Sequence, residues 1–145
     1  MGWTLEEAER AGIGPEHPEH PSRRNASLSV RRTKYGAVRT TYGGVRYHSK
    51  AEALRAERLD HDRSVGLIRF WVGQPTFRLG CPENVYRSDF LVVGLADVWV
   101  EDVKGKETPK FLHDKRLWSR YGPCELRILR NGKVVEAIMP GRTKE

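Results

Sequence analysis

The chain has 145 residues, 26 Lys and Arg against 19 Asp and Glu for a net charge of +7, and 38% hydrophobic residues. That is enough for one domain-sized core and not for two, and no apolar run approaches the roughly 18 residues of a membrane-spanning helix. Two cysteines make at most one bridge, which excludes a disulfide scaffold, and the acidic start Met1-Gly2-Trp3-Thr4-Leu5-Glu6-Glu7 does not read as a signal peptide. A soluble, basic, cytoplasmic protein with a polyanion as partner is the expectation.

In chain order, residues 1–34 read apart from the rest. Thr4-Leu5-Glu6-Glu7 has capping-box spacing and predicts a short helix over 5–11. Pro15-Glu16-His17-Pro18-Glu19-His20-Pro21 has linker composition. His17 and His20 have no third ligand nearby, so a metal site is not expected there. From Ser22 to Lys34 the sign reverses, and Arg23, Arg24, Arg31, Arg32 and Lys34 meet no acid. With little to bury, this reads as a flexible basic arm suited to phosphates; a merely solubilising tail has the same composition.

Residues 35–145 read as the folded domain. Val38–Tyr42 and Val45–His48 around Gly43-Gly44 predict a hairpin with a primed turn. Ser49 is an N-cap for a helix reaching about Asp62. Strands are expected at Leu67–Val72, Thr76–Leu79, Val85–Val93 and Asp97–Lys104. Pro109 and Gly122-Pro123 bound a second helix over 109–120, with Phe111, Leu117 and Trp118 toward the core. Glu125–Arg130 and Lys133–Ile138 flank Asn131-Gly132, a strong hairpin signal. The order predicts an α/β fold with a mixed central sheet flanked by helices.

One constellation carries chemistry. If Arg87–Val93 and Asp97–Lys104 form a hairpin turning at Leu95-Ala96, Asp89 falls opposite Asp102. Facing positions have Cβ atoms about 4.5–5.5 Å apart, and two carboxylates so placed repel unless a cation lies between them. Lys104, two residues past Asp102, projects from the same face. Hard oxygen ligands with an adjacent ammonium describe a magnesium site acting on phosphate. A cross-strand salt bridge at a sheet edge is the plainer reading. Glu101, on the opposite face, is expected to meet solvent or a basic neighbour.

Ser88-Asp89 followed by Asp102-Val103-Lys104 resembles the signature of the PD-(D/E)XK nuclease superfamily, with Ser88 in the proline position. Ser49-Lys50-Ala51-Glu52 resembles the first core helix, which presents an acidic residue to the same metal. The runs Gln74–Phe77, Tyr86–Phe90 and Val100–Gly105 are similar to small phage-borne members and to archaeal-type Holliday junction resolvases, over about residues 34–130. The resemblance implies a restriction-endonuclease-like core in which Glu52, Asp89 and Asp102 hold Mg²⁺, with Mn²⁺ substituting, and Lys104 orients the attacking water. It further implies a homodimer that cuts a four-way DNA junction in paired fashion, in the host cytoplasm if phage-encoded, with no membrane and no organic cofactor.

Several residues keep two readings. Glu52 also completes a capping box with Ser49. Gln74 can serve the site or only the strand entrance. Lys110, Lys115, Arg116 and Arg120 give the second helix a basic side, either a phosphate rail or a solvated face. Trp71, Trp99 and Trp118 are expected in the core or a dimer contact rather than as stacking platforms, and Cys81 and Cys124 as free thiols. His48, His61 and His113 form no acyl-transfer triad. A nuclease for flaps, mismatches or specific duplex sites, and a non-catalytic branched-DNA-binding module, remain as alternatives.

Overall fold

The computed structural model describes residues 4–10, 29–32 and 38–141. Its elements are α1 (Leu5–Arg10), β1 (Ser29–Arg32), β2 (Val38–Tyr42), β3 (Val45–Tyr47), α2 (Lys50–Ser64), β4 (Phe70–Gly73), β5 (Thr76–Arg78), β6 (Val85–Arg87), β7 (Phe90–Val93), β8 (Val98–Val103), α3 (Pro109–Tyr121), β9 (Glu125–Arg130) and β10 (Lys133–Ile138). The expected capping box opens α1: Glu7 N donates to Thr4 Oγ1 and Thr4 N to Glu7 Oε2. Among the described residues no helix is long and apolar enough to cross a membrane.

The central sheet has the order β10-β9-β8-β7-β4. It is mixed: β8 and β9 are parallel, joined by the α3 crossover, and the other neighbours are antiparallel. The helices α2 and α3 take opposite faces. Ala53, Ala56 and Leu59 of α2 pack with Trp71, Phe90, Val92 and Trp99. Phe111 and Trp118 of α3 pack with Val72, Leu91, Val93, Val98, Val100, Leu126 and Ile128. Alternation along β7 and β8 explains the split, since successive side chains in a strand point to opposite faces. All three of Trp71, Trp99 and Trp118 belong to these cores.

Both predicted tight turns form. Gly43 and Gly44 have φ of 57° and 78°, and Asn131 and Gly132 have 50° and 73°, the positive pair a primed hairpin turn requires. Within the expected basic arm, the described residues 29–32 are not unstructured. Ser29–Arg32 form a strand that pairs with β2, Arg31 opposite Arg39 and Arg32 opposite Val38. Backbone pairing needs no apolar run, so a segment with a single valine can join a sheet edge. Arg23, Arg24, Lys34, His17 and His20 lie outside the described residues.

The expected strand Val85–Val93 is two. β6 pairs with β5 in a separate ribbon, and β7 pairs with β4 in the central sheet. The register nevertheless runs through the break. Gly73 faces Phe90 and Thr76 faces Arg87; between them Gln74 N donates to Asp89 O at 2.8 Å and Ser88 N to Pro75 O at 3.1 Å. It is one hairpin bent at Gln74-Pro75 against Ser88-Asp89. Pro75 has no N–H to give the ladder, and Gln74 adopts a left-handed φ of 53°, a conformation costing a non-glycine residue about 1–2 kcal/mol. The bend also turns the ribbon over: Tyr86 and Leu91, of opposite parity, reach the same core.

Candidate active site

The bend sets Asp89 at the end of the central sheet. Phe90 faces Glu101, Leu91 faces Val100 and Val93 faces Val98, so the hairpin does turn at Leu95-Ala96. Asp89 continues the ladder beside Asp102, with its own N donating to Glu101 O at 3.2 Å. Its carboxylate accepts from Val103 N at 2.7 Å. Asp102 is fully buried and held from two sides. Tyr86 donates its hydroxyl to Oδ2, and Lys104 Nζ lies 3.0 Å from Oδ1. That ion pair lacks hydrogen-bond alignment, because Oδ1 has no hydrogen-bond partner. Lys104 is steadied from below by the Phe111 ring, 4.8 Å from its ammonium.

The electrostatics follow from this crowding. Burial, then the charge of Asp102 and a hydrogen bond to it, push the Asp89 carboxyl up to about 9. Burial also raises Glu52, against the opposing donors of His48 and Ser49, with the Asp102 charge adding to the rise. The Tyr86 hydroxyl is raised far, by burial first and by Asp102 second, so it stays a donor.

Glu52, Gln74, Asp89 and Lys104 line one cleft of about 210 Å³, together with His48, Arg87 and Ser88. The structure therefore brings together four predicted residues in one cleft, with Asp102 buried beside Lys104. The Glu52 carboxylate is engaged by its own helix end: it accepts from His48 N at 3.2 Å and from the Ser49 hydroxyl at 3.2 Å, and Glu52 N donates to Ser49 Oγ at 3.1 Å. Among the described residues no three His, Cys, Asp or Glu side chains are grouped to hold a metal ion. What stands ready is a pair, Asp89 and Asp102. The pair fits a hard divalent cation, which takes oxygen ligands and retains water: Asp89 keeps its proton against the neighbouring Asp102 charge and hydrogen-bonds to it, and a cation between the two would take that proton's place.

The other predicted residues divide. Lys110 pairs with Asp114 at 2.7 Å, and Lys115 with Glu107 at 2.7 Å and Glu136 at 2.9 Å. These charges are balanced within the fold, which leaves Arg116 and Arg120 exposed on α3. Arg31 and Arg32 lie in β1. Cys81 is exposed and Cys124 buried, both free; burial pushes the Cys124 thiol up to about 12.

Three participants were not legible as such. Tyr86 holds Asp102 from across the bend. Arg87 donates to Gln74 Oε1 at the cleft mouth. Glu101, expected to meet solvent or a basic neighbour, has only the second: it is buried and bound by Arg55 through two bonds of 2.6 Å and by Trp99 Nε1 at 2.9 Å. No protein-family model, curated protein or solved structure matches this chain.

Proposed function

We propose that the chain is a Mg²⁺-dependent, structure-selective DNA endonuclease with a restriction-endonuclease-like core, resolving four-way junctions by paired hydrolysis as a homodimer. The observation that carries this reading is the Asp89–Asp102–Lys104 group at the open end of β7 and β8, in the order and spacing of the PD-(D/E)XK signature. Asp89 and Asp102 would hold the metal, with Glu52 on the facing wall of the cleft. Bound there, the ion supplies Lewis-acid stabilisation of charge on the phosphate. The residues of the chain do the rest. Tyr86 fixes the rotamer of Asp102, so the ligand is positioned before substrate arrives. Lys104, held by Asp102 and Phe111, presents an ammonium that orients water and offsets charge developing on phosphate oxygen. Gln74 and Arg87 hold one another at the mouth, where phosphate enters. Recognition rests on branched shape and phosphate geometry with little base reading.

The capped state of Glu52 favours one other reading, a branched-DNA-binding module whose acids are structural. A labelled four-way junction, incubated with the protein and Mg²⁺, separates them. Cleavage is expected, with Asp102→Ala abolishing it and leaving junction binding intact. Wild-type binding without cleavage in Mg²⁺ or Mn²⁺ selects the module; cleavage of matched linear duplex at equal rate selects a nuclease of other specificity.

A further inference from the structure

A second concavity of about 490 Å³ adjoins the cleft, and Val103 lines both. Its volume is within the range of sites for small organic ligands. Leu54, Val103 and Leu129 give it an apolar surface, and Lys50 and Arg58 its basic edge. Lys50, Leu54 and Arg58 are spaced by four and so lie along one face of α2, with about 12 Å between the first and last. Leu54 is 45% exposed, a large apolar side chain set between two cations. Arg58 approaches Asp62 at 3.1 Å, but Asp62 Oδ1 has no hydrogen-bond partner. The pair is thus an ion contact without hydrogen-bond alignment, and the Arg58 side chain is 63% exposed. Arg55 is committed to Glu101 and contributes no net charge. Asn131, at the tip of the β9–β10 turn, closes the far side and offers an amide donor and acceptor.

We propose that this groove receives one unstacked nucleotide of the substrate strand. The base would lie on Leu54 and Val103, with the buried Leu129 behind them, and the flanking phosphates on Lys50 and Arg58. The proposal rests on the nuclease reading and sharpens it: the chain would prefer DNA with an unpaired or splayed nucleotide beside the cut, because a fully stacked duplex cannot offer a base to an apolar groove. Apolar base contact and cationic phosphate contact together are what single-strand sites use.

The test is binding, in EDTA so that nothing is cut, of a single-stranded oligonucleotide carrying 2-aminopurine and of the matched blunt duplex. Leu54→Asp is expected to weaken single-strand binding on the order of tenfold, to abolish the 2-aminopurine fluorescence change, and to leave duplex binding unaltered. Lys50→Ala and Arg58→Ala, both at exposed positions, are each expected to reduce the salt slope by about 0.7 and so test the same groove without a buried change. Single-strand affinity unchanged by Leu54→Asp, or equal losses on both DNAs, overturns the proposal. Wild-type cleavage of the labelled junction in Mg²⁺ is measured in parallel. Its absence refutes the nuclease reading, while the binding arm still decides the groove.

Discussion

Asp89→Asn is expected to make the metal-free protein more stable while destroying its response to metal. Asp89 is raised from 3.8 to about 9 by burial and by Asp102, so folding at neutral pH keeps a carboxyl from ionising as it would in the unfolded chain. A folded pKa above the unfolded value means a contribution that is whole below about 3.8 and lost as pH rises toward about 9. The interval from about 3.8 to pH 7 corresponds to about 4 kcal/mol at most. Asp89 is only half-buried, and water screens part of it, which leaves about 1–3 kcal/mol. Asparagine removes that penalty and still offers Val103 N an acceptor. At roughly 4 °C per kcal/mol for a chain of this size, the variant should melt about 4–12 °C higher in EDTA at neutral pH.

The pH dependence gives the sharper check. The gap between variant and wild type should vanish near about pH 4 and widen steadily toward about pH 9. Mg²⁺ should then narrow or reverse the gap. At a hundredfold excess over Kd it returns about 2.7 kcal/mol to a protein that binds it, and the variant, one ligand short, should gain far less. Thermal melts at several pH values, with EDTA and with Mg²⁺, suffice. A variant that melts below wild type in EDTA at alkaline pH would show that Asp89 already has a cationic partner, and the argument for a cation between Asp89 and Asp102 would fall.

Arg55→Ala should destabilise by about 3–5 kcal/mol in urea unfolding, because it strands the buried Glu101 carboxylate with Trp99 as its one remaining donor; adding Glu101→Gln should recover part of the loss, and no recovery would mean the cost lies in packing. Tyr86→Phe keeps the ring against Trp118, 5.6 Å between centroids, but leaves Asp102 Oδ2 without its hydroxyl. A loss of about 1–3 kcal/mol is expected, and an unchanged midpoint would show that the buried carboxylate does not depend on Tyr86.

Much of this site was legible because its registers are local. The turn at Leu95-Ala96 fixes Asp89 opposite Asp102 by counting, and strand parity sets Lys104 beside them. What counting cannot see is a bend that keeps register and inverts faces. Val85–Val93 reads as one strand since nothing in Arg87-Ser88-Asp89-Phe90 breaks it; the cause lies across the ladder, in Gln74 and Pro75. Tyr86 was lost to the same effect, its parity being wrong for a partner of Asp102 until the ribbon turns over. Glu52 shows a different limit. One spacing, Ser49 to Glu52, serves both a helix cap and a metal ligand, and the folded chain displays the cap.

Glu101 and Asp102 are consecutive on β8, both buried, and their treatment is opposite. Glu101 faces α2 and is fully answered, by a bidentate arginine and an indole. Asp102 faces α3 and is answered differently: one oxygen takes a tyrosine hydroxyl, the other has a lysine beside it without alignment, and a second carboxyl that keeps its proton hydrogen-bonds to it. Its neighbour Asp89 is held against ionisation. A strand that needed only stability would carry an apolar residue here, as β8 does at Val98 and Val100, since an incompletely paired buried charge costs more than a well-packed hydrocarbon. The cost falls where β7 and β8 open onto a cleft, and Arg55 shows that the same fold can neutralise a carboxylate when no ligand is wanted. That contrast between adjacent residues supports the proposal that Asp102 is kept for a cation. It also qualifies the net charge of +7, because a metal on Asp89 and Asp102 would cancel negative charge at the place where, on the proposed reading, phosphate approaches.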